Sequence, residues 1–469
     1  MSLDLELAVE RPVAGGRMLG RHEGRIVFIA GAIPGERVRA RVERSARGVM
    51  WADAVQIIEP SPFRRALDHD PSCGGQAYRH IDLAHQRQLK TEIITDAFRR
   101  VGKVRLAEET PVEPSPEHGY RLRARLHVSA GRAGFFRTGT HVLCDAEATG
   151  QLLRETMPAV EQLLADHPAV GAMCDAILVA ENVPATERAL HLAARNGVPG
   201  EDLSGLDLPA GVTGLSADAV GGRSTCAGVP FVTDTAVDLF GDAPPVPPET
   251  RWMRHAPTFF QGNRYVTGAL VRHVLDLAPS GHIADLYAGV GLFTVAVAAR
   301  GGSVVAVEGD ADAARDLAGN AAPWGDGARV VHRAVEDALS VLARHRLDGV
   351  IVDPPRTGLS PEALTGIAAL ESPVLIYVSC DPPTLARDAA RLLASGYTLG
   401  PLRAFDFFPN TPHVEVVASF FQPCGDDEAV EQRGERPGAP EVLRVPLDPH
   451  AEGGVRLFDG FDDAVGRGG

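Results

Sequence analysis

The stretch His282-Ile-Ala-Asp-Leu-Tyr-Ala-Gly-Val-Gly-Leu-Phe-Thr-Val-Ala-Val-Ala-Ala-Arg300 reads as a short apolar strand, a glycine turn and an apolar helix. The glycines let the turn approach a ligand closely, and the N-terminus of a helix follows. A second strand, Gly302-Ser-Val-Val-Ala-Val-Glu308, comes next, and Glu308 stands 23 residues after Asp285. A carboxylate at that strand end can accept hydrogen bonds from both hydroxyls of a ribose. The pair points to a nucleoside cofactor. A dinucleotide fingerprint is missing, because Gly289-Val-Gly291 is followed by Leu-Phe-Thr. The apolar runs LDGVIV, SPVLIYVS and HVEVVASFF supply further strands, with helical segments between them. Alternation of this kind over residues 250–424 predicts a doubly wound α/β, Rossmann-like domain.

Outward from that core, three more motifs fall at expected strand ends, where open α/β sheets bind ligands. Asp353-Pro-Pro-Arg356 places a carboxylate on a loop stiffened by two prolines. Tyr377-Val-Ser-Cys380-Asp-Pro-Pro383 puts a cysteine at a polar loop entry, suited to a nucleophile if its thiolate is favoured. Alone, Cys380 reads better as a buried inert thiol, and it is the motif that follows that changes the reading. Asp406-Phe-Phe-Pro409-Asn-Thr-Pro-His413-Val-Glu415 ends on a carboxylate, which is either a strand-end charge or a general base near Cys380.

The N-terminal 60 residues show short alternating runs (LELAVE, RIVFIA, ERVRARVER, ADAVQII) between Gly-rich turns, among them GGRMLG. About five such strands fit an OB-like barrel, which reads equally as a carrier of nucleic acid or as a packing domain with no ligand. Residues 61–249 mix strands and helices in a central α+β domain; HQRQLKTEIITDAFRRVG reads as an amphipathic helix ending at Gly102, and the proline-rich GDAPPVPPET marks a boundary near residue 245. Residues 425–469 carry eleven acidic and five basic residues and are expected to be disordered.

The net charge of −15 argues against nucleic acid, but its distribution argues the other way. Residues 1–140 hold 23 basic against 17 acidic side chains, and Lys90 and Lys103 are the chain's only lysines. Arginine suits phosphates, so a nucleic-acid partner for this front is one reading of the charge, with genome base composition as the other. The start lacks a basic n-region and no apolar run is long enough to span a bilayer, so a cytoplasmic location and no membrane partner are expected. Cys73, Cys144, Cys174, Cys226, Cys380 and Cys424 form no C-x-x-C pair, so neither a disulfide framework nor a zinc site is expected.

Together these blocks resemble the RNA uracil-C5 methyltransferase family, which joins a TRAM barrel to a class I methyltransferase domain. EGRIVFIAGAIPGERVRARV is similar to the TRAM barrel. Phe259-Phe-Gln261-Gly-Asn263 matches the family's Phe-Phe-Gln-x-Asn. DLYAGVG, DPPRTGL, YVSCDPPTLARD and FPNTPHVE follow in the family's order. The resemblance implies S-adenosylmethionine as cofactor, bound through Gln261, Tyr287, Gly289, Glu308 and Asp353. It implies Cys380 as the nucleophile toward uracil C6 and Glu415 as the base at C5. It implies an RNA partner, ribosomal RNA ahead of transfer RNA. Three positions depart from the family. The iron–sulfur block retains only Cys73, with Cys144 out of register, so no cluster is expected. Asp381 replaces the usual Asn, and its charge is expected to raise the thiol pKa. Leu292 replaces a polar residue in the cofactor turn. Two other readings compete. One is a methyltransferase acting on another base, against which Arg356 stands where an aromatic residue would be expected. The other is a non-catalytic RNA-binding protein that kept the fold.

Overall fold

The computed structural model describes residues 3–67, 70–195, 203–218 and 224–422. The acidic tail, with Cys424, lies outside the described residues.

Five strands close the N-terminal barrel: β1 (Asp4–Pro12), β2 (Met18–His22), β3 (Arg25–Ala30), β4 (Arg37–Ala46) and β5 (Val49–Glu59), in the order β1-β2-β3-β5-β4. Alternate residues such as Leu5, Leu7, Val27, Ile29, Val38 and Ala52 fill its core. The run GGRMLG is not all turn. The turn ends at Gly16 and Met18 opens β2. Gly20 lies inside the strand, where a Cβ would come within 2.7 Å of the Ala8 carbonyl oxygen. Close approach, not chain reversal, accounts for that glycine.

Helix α1 (Leu83–Ala97) is capped by Asp82, whose side chain accepts from the amides of Ala84 and His85. It continues as one wider turn through Gly102. Beyond it come β6 (Val112–Glu113), β7 (Arg123–Ser129), β8 (Arg132–Phe136), β9 (Leu143–Cys144), α2 (Thr156–Asp166), α3 (Pro168–Met173), β10 (Cys174–Glu181), β11 (Arg188–Ala194), β12 (Gly214–Asp218) and β13 (Ser224–Gly228). Seven of these strands form one sheet, β13-β12-β11-β10-β7-β8-β9, covered by α2 and α3 through Val160, Leu163, Leu164 and Val170. A hairpin of β14 (Phe231–Thr235) and β15 (Arg251–His255) follows, with α4 (Ala236–Phe240) and the proline-rich run between its strands.

Cysteine pairing departs from the sequence expectation. Cys73 and Cys144 form a disulfide, with Cα atoms 5.8 Å apart. The two residues are 71 positions apart, and only the fold brings both against β8, where the Gly74 amide donates to the Phe136 carbonyl. Cys174 is buried, Cys226 exposed and Cys380 half-buried, all as free thiols. Among the described residues, no cluster of three or more His, Cys, Asp or Glu is placed to hold a metal ion. No helix among them is long and apolar enough to cross a membrane.

The last part of the chain alternates as α5 (Thr267–Leu277), β16 (His282–Leu286), α6 (Leu292–Ala299), β17 (Ser303–Glu308), α7 (Ala311–Ala321), β18 (Ala328–His332), α8 (Val335–Leu342), β19 (Gly349–Val352), α9 (Pro361–Ala368), β20 (Val374–Ser379), α10 (Pro382–Ala394), β21 (Thr398–Phe405) and β22 (Glu415–Phe421). The sheet order is β18-β17-β16-β19-β20-β22-β21-β6. Strands β16 to β20 pair in parallel, and β22 runs antiparallel to both neighbours. Side chains alternate between the two helical layers. Ala284, Leu286, Val350, Val352, Leu375 and Tyr377 face one core, and Ile283, Ile351, Ile376 and Val378 face the other. Burial on both faces explains why these strands read as continuous apolar runs. Leu292, at the start of α6, packs into the second core, and its carbonyl accepts from the Trp252 indole at 3.1 Å.

A buried ion pair joins the N-terminal region to this sheet. Lys90 on α1 donates to Asp406 at 2.5 Å, with both side chains fully inaccessible, and also to the Phe408 carbonyl at 3.0 Å. Removing one partner leaves an uncompensated buried charge, which costs about 3–5 kcal/mol. Lys90→Met should therefore lower the urea midpoint strongly. The double variant Lys90→Met/Asp406→Asn should recover part of the loss. Equal loss in both variants would show that the charge pair is not the cause.

Candidate active site

Strand β16 pairs with β17 on one side and β19 on the other, so a crevice opens at their carboxyl ends. The turn after β16 occupies it. Tyr287 (φ 60°), Gly289 (φ 56°) and Gly291 (φ 93°) take left-handed conformations that fold the turn tightly. Glu308, at the end of β17, holds this turn: one carboxylate oxygen accepts from the Gly289 amide and the other from the Asp310 amide, both at 2.7 Å. Each oxygen keeps a lone pair for a ribose hydroxyl. Beneath the turn, Asp285 accepts from the Thr294 hydroxyl at 2.5 Å, while its other oxygen is buried without a partner. Burial, with the charge of Glu308 adding to it, pushes the Asp285 carboxyl up to about 7.

Asp353 follows β19 and accepts from the Gln261 amide at 3.0 Å. Burial, and then the neighbouring Asp285, push it up to about 7. Phe259, two residues before Gln261, is 58% exposed, and the Arg123 guanidinium lies 5.2 Å from its ring centre.

Cys380 directly follows β20. Because β22 is antiparallel to β20 and Ser379 pairs with Val416, Cys380 stands opposite Glu415. Its thiol is pushed up to about 12, first by burial and then by the charge of Glu415; Arg356 opposes the rise, and Asp353 and Asp381 add to it. The expected effect of Asp381 is therefore present but is the smallest of these. Its side chain has another task, capping α10 by accepting from the Thr384 amide at 2.9 Å. Asn at this position would cap equally well. Glu415 is buried and its carboxyl is raised well above the usual range, by burial first and Asp353 second, with Arg356 acting in the opposite sense.

Gln261, Asp353, Cys380 and Glu415 thus form one cluster, and Tyr287, Gly289 and Glu308 line the adjoining crevice. Sequence reasoning passed over two members. Arg356 supplies the positive charge of this cluster and donates to His413 Nδ1 at 2.6 Å. His413 is pushed down to about 3 by burial and by Arg356, so it stays a neutral acceptor. Both were visible in the quoted motifs, but their pairing depends on two loops 57 residues apart. The donor set suits a cationic nucleoside cofactor. Asp285 and Asp353 are buried carboxyls beside this turn, neither in an ion pair with Arg or Lys among the described residues, and a sulfonium and an ammonium would favour their ionised forms.

Fold and site define a class I, S-adenosylmethionine-dependent methyltransferase carrying an N-terminal TRAM barrel. The family model for the TRAM domain matches residues 5–55, and that for tRNA (uracil-5-)-methyltransferase matches residues 327–420. The chain is 33% identical over 432 residues to a 23S rRNA (uracil(1939)-C(5))-methyltransferase of Aromatoleum aromaticum, covering 86% of this chain and 96% of that protein. It is 31% identical to an uncharacterized RNA methyltransferase of Streptomyces coelicolor, covering 87% and 90%. In fold it matches the crystal structure of Pyrococcus abyssi tRNA (uracil-54, C5)-methyltransferase in complex with S-adenosyl-L-homocysteine. That match has a TM-score of 0.68 and 24% identity, covering 88% of this chain and 99% of the other. The chain belongs to the RNA uracil-C5 methyltransferase family.

The electrostatics can be checked without substrate. Glu415→Gln removes the charge that most raises the Cys380 thiol after burial. Iodoacetamide at pH 8 should therefore modify Cys380 faster in this variant than in the parent, measured on the Cys380 peptide by mass spectrometry. An unchanged rate would mean that Glu415 does not act on the thiol. Stability should also depend on pH. The folded-state pKa values of Asp353 and Glu415 are raised, so the stabilisation is full below their ordinary values of 3.8 and 4.5 and is lost as pH rises through the folded values. Glu415→Gln should melt about 2 °C or more above the parent at pH 8, with the difference vanishing near pH 4. A constant difference across that range would contradict the raised carboxyl.

Proposed function

We propose that this protein methylates carbon 5 of a uridine in RNA through a covalent adduct on Cys380, with 23S ribosomal RNA as the substrate class. The observation that carries the chemistry is the placement of Cys380 opposite Glu415 at the sheet edge, beside Asp353 and Gln261. The 23S rRNA relatives and the TRAM barrel support the choice of RNA.

Uracil C5 is a weak nucleophile until C6 is saturated. Cys380 Sγ, as thiolate, forms a bond to C6, and electron density moves onto C5. S-adenosylmethionine, when bound, would supply the electrophilic methyl group that C5 takes, its S–CH3 bond breaking and S-adenosylhomocysteine leaving. Glu415, as carboxylate, removes the proton from C5. The Sγ–C6 bond then breaks, which restores the aromatic ring and the free cysteine. Glu308 would hold the ribose hydroxyls of the cofactor, while Tyr287 and Gly289 shape its turn. Gln261 orients Asp353, which would face the cofactor's positive charge and the uracil. Arg356 lies where it can offset the negative field that keeps Cys380 protonated in the ligand-free site. The target base must leave its stack to reach Cys380. In this division of labour, residues 1–60 grip the RNA, residues 61–249 form the central domain between, and residues 250–424 perform the transfer.

Trapping tests the reading. RNA containing 5-fluorouridine, incubated with the protein and S-adenosylmethionine, should yield a covalent protein–RNA adduct, because fluorine at C5 cannot leave as a proton. The adduct should vanish in Cys380→Ala. In Glu415→Gln it should accumulate even on ordinary RNA. Absence of any adduct in the parent, with cofactor binding intact, would overturn the assignment of uracil C5.

A further inference from the structure

Most arginines of the barrel are neutralised within it. Arg39 reaches Glu6 at 2.7 Å, Arg41 reaches Asp4 at 3.0 Å, and Arg21 reaches Glu10 at 2.5 Å. Arg37 lies within 4 Å of both Glu6 and Glu59, and Arg17 pairs with Glu43 and Asp53. The basic front expected to meet phosphates is therefore largely paired with its own carboxylates. Arg11 pairs with Asp96 of α1, so Arg25, Arg44 and Arg47 are the barrel arginines outside ion pairs, and register places all three at one end of the β3–β5–β4 sheet.

That face also carries an aromatic pair. Phe28 stands beside Trp51 in the parallel β3–β5 register, with ring centres 6.0 Å apart. Arg44 is paired with Trp51 in the β4–β5 register, and its guanidinium lies 4.0 Å from the ring centre. Both rings are part-exposed, while their chain neighbours Val27, Ile29, Met50 and Ala52 point into the core. The face also adjoins the catalytic loop. Arg17 donates to the Ala52 carbonyl at 2.8 Å, directly after Trp51. Its neighbour Gly16 touches Pro412, so that a Cβ there would stand 3.0 Å from the ring. Pro412 immediately precedes His413 and lies three residues before Glu415.

We infer that Phe28, Trp51 and Arg44 form a stacking platform for an unpaired nucleobase of the RNA, with Arg25 and Arg47 receiving the adjoining phosphates. This rests on the RNA reading above and adds a second contact point for the strand beside the active site. A π face accepts any base, and an arginine above it stacks or pairs with phosphate as the strand arrives. Arg44 can move off the indole onto a phosphate and leave the ring to the base. The carboxylates of Glu43 and Asp53 lie on the Arg17 side of Trp51 and repel phosphate there, so the strand is expected to run from Trp51 toward Arg25 and Arg47.

The test uses the full chain and a fluorescein-labelled oligouridylate of about 12 nucleotides, within the range that such surfaces bind. Trp51→Ala should weaken binding about tenfold, while Trp51→Phe should stay within about threefold of the parent. S-adenosylmethionine binding should be unchanged in both, which excludes a folding defect. An oligomer carrying 5-iodouridine should photocrosslink to the peptide that contains Trp51. Affinity of Trp51→Ala within about twofold of the parent, or crosslinks that map elsewhere, would overturn the platform. The two readings fail separately. Trp51-dependent binding without a 5-fluorouridine adduct would keep the platform and overturn the methylation chemistry. A normal adduct with Trp51-independent binding would do the reverse.

Discussion

The buried pair of Lys90 and Asp406 is the contact on which the rest of the site depends. Neither charge reaches water, so each is tolerable only while the other is present. The pair ties α1 to the end of β21, 316 residues away in sequence. Around it, Gln86 and Arg65 donate to the Asn410 side-chain carbonyl, and Asn410 donates to Glu117. The Gln86 side chain also accepts from the Asn410 amide, and the Tyr78 amide donates to the Asn410 carbonyl. These bonds hold the 406–414 loop against the N-terminal region. The loop delivers Glu415 to the first position of β22, opposite Cys380. A helix outside the methyltransferase sheet therefore fixes where one of its proposed reacting groups stands.

Within the site, electrostatics oppose stability. A thiol and several carboxyls are gathered in a poorly solvated pocket with one arginine among them, and each raises the proton affinity of the others. Such an arrangement disfavours ionisation in the free protein. A cationic cofactor would reverse part of that penalty, which couples cofactor binding to the appearance of the reactive thiolate. Arg356 is tied to His413 rather than bonded to a carboxylate, which leaves its field free to act on both Cys380 and Glu415.

The barrel shows why composition alone is a poor guide to a binding surface. Its arginines are numerous, but cross-strand pairing places most of them beside Asp or Glu on the same outer face. The charge that remains is local and sits beside two aromatic rings. Contact between Gly16 and Pro412 puts that face next to the 406–414 loop.

The sequence by itself determined the α/β alternation, the barrel and the class of cofactor. Apolar runs bounded by glycine and proline carry those features locally, and strand ends in such a sheet are where ligands bind. Glu308 was legible because a carboxylate closing the second strand, 23 residues after Asp285, follows a glycine turn in the spacing that a ribose-binding group takes. The Cys73–Cys144 bond, the Arg356–His413 pair and the Lys90–Asp406 pair were not legible. Each joins residues from separate elements, and no periodicity records which loops will meet. The pairing of Cys380 with Glu415 lies between these cases. Both residues stand out in their motifs, but only the antiparallel direction of β22 brings the start of the last strand to the end of β20. Strand direction and register are decided by long-range packing, which is why the tertiary structure alone turned two conspicuous residues into one site.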